Sequence, residues 1–111
     1  KFTGEDVTIH YNRESGGLWI DPADLNKLLL HHNLPGLESM GGKPDTDEEA
    51  GRCPTDDDYM IAVFGGPKHS FSYETCEICG GVWLWAEDDV NSFKDAAEEV
   101  VSFFKDFRRS S

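Results

Sequence analysis

The sequence predicts a small α+β protein: two β-hairpins in tandem, each followed by a helix, the second helix long and amphipathic. Three observations carry that expectation. A Gly-Gly-aliphatic-Trp-aliphatic string occurs twice, as Gly16-Gly17-Leu18-Trp19-Ile20 and Gly80-Gly81-Val82-Trp83-Leu84, with a strand pattern before each and a helix pattern after it. A Cys-x-x-Cys pair, Cys76 and Cys79, stands directly before the second string, and Cys53-Pro54-Thr55-Asp56 reads as a similar tight turn upstream. Val90, Phe93, Ala97, Val100, Val101, Phe104 and Phe107 recur at spacings of three and four, the period of a helix with one apolar face, here about twenty residues long.

In chain order, Phe2 to Glu5 reads as a turn leading into a half-buried strand in which Val7, Ile9 and Tyr11 alternate with Thr8 and His10. The strand's partner is expected upstream of Lys1, so the first copy is read as clipped. After Ile20, Asp21 is a suitable N-cap, Pro22 fits the first helical position and Asp24 complements the positive end of the helix dipole. Leu25, Leu28 and Leu29 give that helix its apolar stripe, and Asn33-Leu34-Pro35-Gly36 ends it. Residues 36–52 are rich in Gly, Pro and acids without apolar period, the composition of a mobile linker. Tyr59-Met60-Ile61-Ala62-Val63-Phe64 is strongly strand-forming, Gly65-Gly66-Pro67-Lys68 a turn, and Phe71, Tyr73 and Thr75 alternate on the returning strand. Glu87-Asp88-Asp89 is expected in the first turn of the final helix, with Lys105, Arg108 and Arg109 near its end. The domain organisation is therefore 1–35 as a degenerate first copy, 36–52 as linker, and 53–111 as the second copy with its helix.

Bulk properties narrow the function. Two units of about fifty residues each bury little apolar surface, so a metal or mutual packing is expected to hold them. The chain of 111 residues carries 22 acids against 10 bases, a net charge of −12. That opposes a phosphate-binding face and makes direct nucleic-acid binding an unfavoured reading, while suiting a partner protein with a basic surface. Three cysteines cannot complete a disulfide framework, which points to a reducing, cytoplasmic compartment. No apolar run has the roughly 18–20 residues that span a bilayer. No catalytic constellation is visible: there is no nucleophile elbow and no phosphate-cradling glycine loop.

The chemistry therefore rests on the thiols. Cys53, Cys76 and Cys79 offer three sulfurs, and Asp56 holds the fourth corner by spacing, with Asp57 or Asp58 as substitutes. His69 is chemically the better ligand but falls at the hairpin tip, about 15–20 Å from the turns at its base if each residue advances about 3.3 Å. His10 is expected on an exposed strand face, and His31 and His32 at a helix end. In the first copy Asn12 and Ser15 stand where Cys76 and Cys79 stand in the second. Both are poor ligands for a borderline metal, so that turn is expected to be metal-free and held by side-chain-to-backbone hydrogen bonds. Trp19 and Trp83 are expected as core residues under the glycine turns, with Trp83 and Trp85 facing one side.

The string Cys-Gly-Gly-Val-Trp-Leu at residues 79–84, preceded by a Cys-Pro-x-Asp turn and a hairpin and followed by an acidic helix start, resembles the TFIIB-type zinc-ribbon family of small bacterial proteins. The resemblance covers residues 53–93, and residues 2–30 as a degenerate copy. It implies one Zn²⁺ per chain in the second copy and a non-enzymatic role; Asp56 departs from the cysteine that the family pattern carries there. The expected function is a structural-zinc protein–protein interaction module, with the apolar face of residues 90–107 available to a partner or a second copy of the chain. Two alternatives stand beside it: a transcription-associated or nucleic-acid-binding zinc ribbon, and a thiol redox protein using Cys76 and Cys79.

Overall fold

The computed structural model describes residues 2–4, 6–54 and 57–108. Strands β1 (Phe2–Gly4), β2 (Val7–Asn12) and β3 (Gly17–Ile20) precede helix α1 (Pro22–His31); β4 (Lys43–Arg52), β5 (Tyr59–Gly65), β6 (Phe71–Thr75) and β7 (Val82–Trp85) precede helix α2 (Phe93–Phe107). The seven strands form one antiparallel sheet in the order β1-β2-β3-β7-β6-β5-β4.

The seam between β3 and β7 joins the two halves. Its register pairs Leu18 with Leu84, Trp19 with Trp83 and Ile20 with Val82, so the two strings that look alike in the sequence meet antiparallel about the tryptophan pair. Packing across the seam is reciprocal. A Cβ on Gly17 would lie 2.0 Å from Cζ2 of Trp83, and a Cβ on Gly81 would lie 2.3 Å from Cζ2 of Trp19. Each indole therefore lies on the glycine of the opposite hairpin, where only a bare Cα leaves room. Within each half the strand pairing also agrees: His10 faces Trp19 as Glu74 faces Trp83.

Strand alternation sends Val7, Ile9, Leu18, Ile20, Val63, Tyr73, Val82 and Leu84 to one face, where both helices bury them. α1 contributes Leu25, Leu28 and Leu29. α2 contributes Ala96, Ala97, Val100, Val101, Phe104 and Phe107 and runs across both halves. Phe93, in its first turn, lies against Gly4 of β1, and Phe107, in its last, lies against Gly65 of β5. Tyr73 sits among Phe103, Phe104 and Phe107, with ring centroids 5.3–6.3 Å away. The α2 face expected to be left for a partner or a second copy is therefore covered by the sheet, and the exposed large apolar residues, Leu30, Tyr59, Ile78 and Trp85, lie elsewhere.

Three expectations about the elements are corrected. Residues 36–52 are not a free linker: they contain a 3-10 turn at Leu37–Ser39 and the edge strand β4. Two register shifts, between Asp45 and Glu49 and between Glu49 and Arg52, erase the period-two pattern, and an edge position accepts Pro44 and a row of acids. Residues 2–4 are a strand paired with β2 rather than a turn. The final helix begins at Phe93, not at Glu87, and has 15 residues. Ser92 caps it by accepting the Asp95 N–H, and the Glu99 carboxylate accepts the N–H groups of Glu87 and Asp88, holding that acidic stretch outside the helix. Asp21 does hold the N-cap position of α1 and Pro22 follows it, but the Asp21 side chain makes no capping bond. The neighbouring Asp24 instead accepts the Thr8 N–H at 3.3 Å, tying α1 to β2.

Two expected outcomes follow from this packing. Gly81→Ala forces the Trp19 indole off its place and is expected to destabilise the fold by roughly 1–3 kcal/mol in urea titrations, the usual cost of overpacking. Burial pushes the Tyr73 phenol up from 10.0 to about 12. The unfolded chain then releases this proton first, so stability is intact below pH 10 and falls as pH rises toward 12. Tyrosinate absorbance and denaturation midpoints across that window check it.

Candidate metal centre

Two turns of one construction meet on the sheet face opposite the helices. In the turn between β6 and β7, Gly80 N–H donates to the Cys76 carbonyl at 2.8 Å and Cys76 N–H to the Gly81 carbonyl at 3.1 Å. Gly80 takes φ +76° to close it. After β4, Asp57 N–H donates to the Cys53 carbonyl at 2.9 Å and Cys53 N–H to the Asp58 carbonyl at 2.8 Å. There Asp57 adopts φ +59° at the place corresponding to Gly80. Arg52 secures this second turn from outside: its guanidinium donates to the Asp57 carbonyl at 2.8 Å, lies 3.6 Å from the Asp57 carboxylate and stacks 4.5 Å over Tyr59.

The sulfurs of Cys53, Cys76 and Cys79 all lie within 4.8 Å of one another, and Cys53 Sγ is 3.7 Å from Cys79 Sγ. Two sulfurs at corners of a tetrahedron with bonds of about 2.3 Å are about 3.8 Å apart, so this edge already has the length a tetrahedral thiolate site requires. The Cys53 and Cys76 side chains are buried, Cys79 partly so, and Trp19 and Met60 pack on them. Three thiols in that setting could hold a metal ion.

A third turn has the same backbone and no thiols. Gly16, also at φ +76°, donates its N–H to the Asn12 carbonyl at 2.8 Å. The Asn12 side chain accepts the Glu14 and Ser15 N–H groups at 3.0 and 3.3 Å, and Ser15 Oγ accepts the Gly17 N–H at 3.2 Å. These are the side-chain-to-backbone bonds expected to keep the turn.

Of the expected ligands, the fold brings the three cysteines together. Asp56 lies outside the described residues. Asp57 and Asp58, weighed as substitutes, do not join the cluster; the Asp57 carboxylate is at the surface, 3.6 Å from Arg52. Among the described residues no His, Asp or Glu adds a ligand atom to the three sulfurs. His69 falls in the 3-10 turn Pro67–His69 that joins β5 to β6, at the opposite end of those strands from Cys53 and Cys76. His10 is exposed, as expected.

The sequence reading missed two features. Arg52 has no motif around it; its role appears only when β4 pairs with β5 and sets it opposite Tyr59. The second is a cavity of about 760 Å³ beside the cysteines, with His10, Trp19, Glu74, Trp83 and Trp85 among its walls. Its row His10–Trp19–Trp83–Glu74 comes from four different strands, two from each half, so no local pattern announces it.

Co²⁺ added to reduced protein is expected to give the intense visible bands of a tetrahedral thiolate complex, and Cys76→Ser to abolish them. An octahedral, weakly coloured spectrum contradicts the centre. Comparison with models of known protein families gives no match for this chain, and comparisons with curated proteins and with solved structures give none either.

Proposed function

We propose that the chain is a non-catalytic binding module whose second half is fastened by one Zn²⁺ held by Cys53, Cys76, Cys79 and Asp56. The observation that carries this is the three-sulfur cluster, drawn from two turns that are distant in sequence. Zinc suits a set of three thiolates and a carboxylate because it accepts both donor types and has no geometric demand beyond a tetrahedron. Asp56 enters because the turn at Cys53 repeats the hydrogen bonds of the turn at Cys76. The residue three after Cys53 therefore corresponds to Cys79. Four protein ligands leave no place for a reacting water, in keeping with a structural ion. The metal's role is mechanical: it ties the turn after β4 to the turn before β7, so that the sheet edge and the seam move as one piece.

The likeness to zinc ribbons belongs to this proposal, and so does an internal duplication. Support for the duplication comes from the matching turns at Asn12 and Cys76, the equal hairpin registers and the reciprocal Trp–Gly contacts. In this reading the first copy has replaced its thiols with Asn12 and Ser15 and kept the turn. The partner is a protein or ligand drawn to an acidic molecule, consistent with the net charge of −12.

Metal analysis of protein purified without added metal is expected to give about one zinc per chain. At free zinc a thousandfold above Kd, loading adds about 4 kcal/mol, so chelation should lower Tm by roughly 15 °C or more. Asp56→Cys should tighten zinc by about tenfold or more, because a thiolate replaces a weaker carboxylate donor. Zinc content well below one equivalent, with unchanged Tm on chelation, overturns the proposal. A thiol pKa near 7 in such metal-free protein would favour the redox reading instead.

A further inference from the structure

The cavity on the open face of the sheet has the chemistry of a cation receptor. Trp83 and Trp85 stand at 83° to one another with ring centroids 6.3 Å apart, forming a corner of two indoles. Trp85 is 47% exposed, so this corner opens to solvent. Glu74 is the cross-strand neighbour of Trp83 and lines the same cavity. Its Oε1 is fixed by the Gly51 N–H at 2.9 Å, which holds the carboxylate beside the indoles. The volume of about 760 Å³ is in the range of small-molecule sites.

Charge selects the occupant. Indole faces attract cations through the ring quadrupole, most strongly where water is displaced, and a carboxylate beside them adds Coulomb attraction. The chain's net charge of −12 raises the local concentration of cations and repels phosphates and nucleotides. Arg52, the cationic side chain among the lining residues, directs its guanidinium to Asp57 and the face of Tyr59. A bulky, weakly hydrated cation gains most from such walls, because stripping its water costs less than stripping a primary ammonium.

We propose that this cavity binds an alkylated ammonium group, with trimethylammonium seated in the Trp83–Trp85 corner and Glu74 as its counter-ion. The site borders the cysteine turns without using a thiol: its lining comes from β2 through β7, and Trp19 and Met60 belong both to it and to the packing around the sulfurs. It gives the acidic binding module a ligand class, with no thiol among the groups that would touch the ligand.

Tryptophan fluorescence titrations of the full chain test it, with choline as the free quaternary-ammonium probe and N-acetyl-trimethyllysine amide as the side-chain probe. The neutral isostere 3,3-dimethylbutan-1-ol is the control. At least one ammonium probe is expected to give a saturable response, and whichever binds more tightly identifies the source. The neutral alcohol should bind at least about tenfold more weakly. Trp85→Ala removes a half-exposed ring without opening the core and should weaken binding about tenfold. Glu74→Gln keeps the acceptor for the Gly51 N–H and should weaken it severalfold. No saturable response to either ammonium overturns the proposal. So does alcohol binding within about twofold of the ammonium, or undiminished binding by Trp85→Ala. Metal content and circular dichroism of the same samples keep the two readings apart: folded protein that fails to bind counts against this pocket alone, whatever its zinc content.

Discussion

The antiparallel seam of β3 and β7, with each tryptophan seated on the other hairpin's glycine, is the contact on which the rest of the molecule depends. Alone, one half is three strands with a helix and the other four strands with a helix, each too small to bury a core of its own. Joined at Leu18–Leu84 and Ile20–Val82, the two halves present one continuous apolar surface to α1 and α2. The helix face of the sheet is then filled from Phe93 over β1 to Phe107 over β5. The same seam sets Trp19 over the cysteine turn and Trp83 over the Asn12 turn, so one packing arrangement serves both faces.

The two faces of the sheet have divided their work. One is a hydrophobic core of ordinary composition, closed by helices. The other is left uncovered and carries the thiols, the tryptophans and Glu74. The three sulfurs on that face lie close enough to hold a metal ion. Trp19 and Met60 pack on the turns at Cys53 and Cys76, and an ion held by the three sulfurs would add on this face a constraint like the one the helices supply on the other. The turn after β2 is held without thiols: Asn12 and Ser15 oxygens receive the turn's own amides. Neutral oxygens can satisfy the backbone but cannot reach across to a second turn, so the first half relies on the seam and on α1.

Matching local patterns to contacts explains which parts of this architecture were legible. The strands with strict alternation, β2 and β6, were readable because one side of each faces a core. α1 and α2 were readable from their apolar stripes, although the start of α2 was misplaced. Glu87 to Asp89 have the charge of a helix start, but Ser92 is the residue whose side chain accepts the first-turn Asp95 N–H, while the Asp95 carboxylate accepts the Asn91 N–H just before the cap. β4 was not readable. Its hydrogen bonds go to an edge of β5 that any backbone can pair with, and its bulges remove the alternation that would have betrayed it.

By itself the sequence determined the chemistry available: three thiols, two glycine-tryptophan strings, a strongly acidic surface and two amphipathic helices. It also determined the tight turns, because glycine at Gly16 and Gly80 accepts the positive φ that other side chains resist. Only the tertiary structure decided that the two strings pair with each other, that Cys53 lies 3.7 Å from Cys79 at the sulfurs, and that Trp83, Trp85 and Glu74 enclose one cavity. The reason is that a sheet's lateral order is set by long-range hydrogen bonding between strands. No period along the chain encodes which edge a hairpin will choose, and every functional grouping here is assembled across such edges.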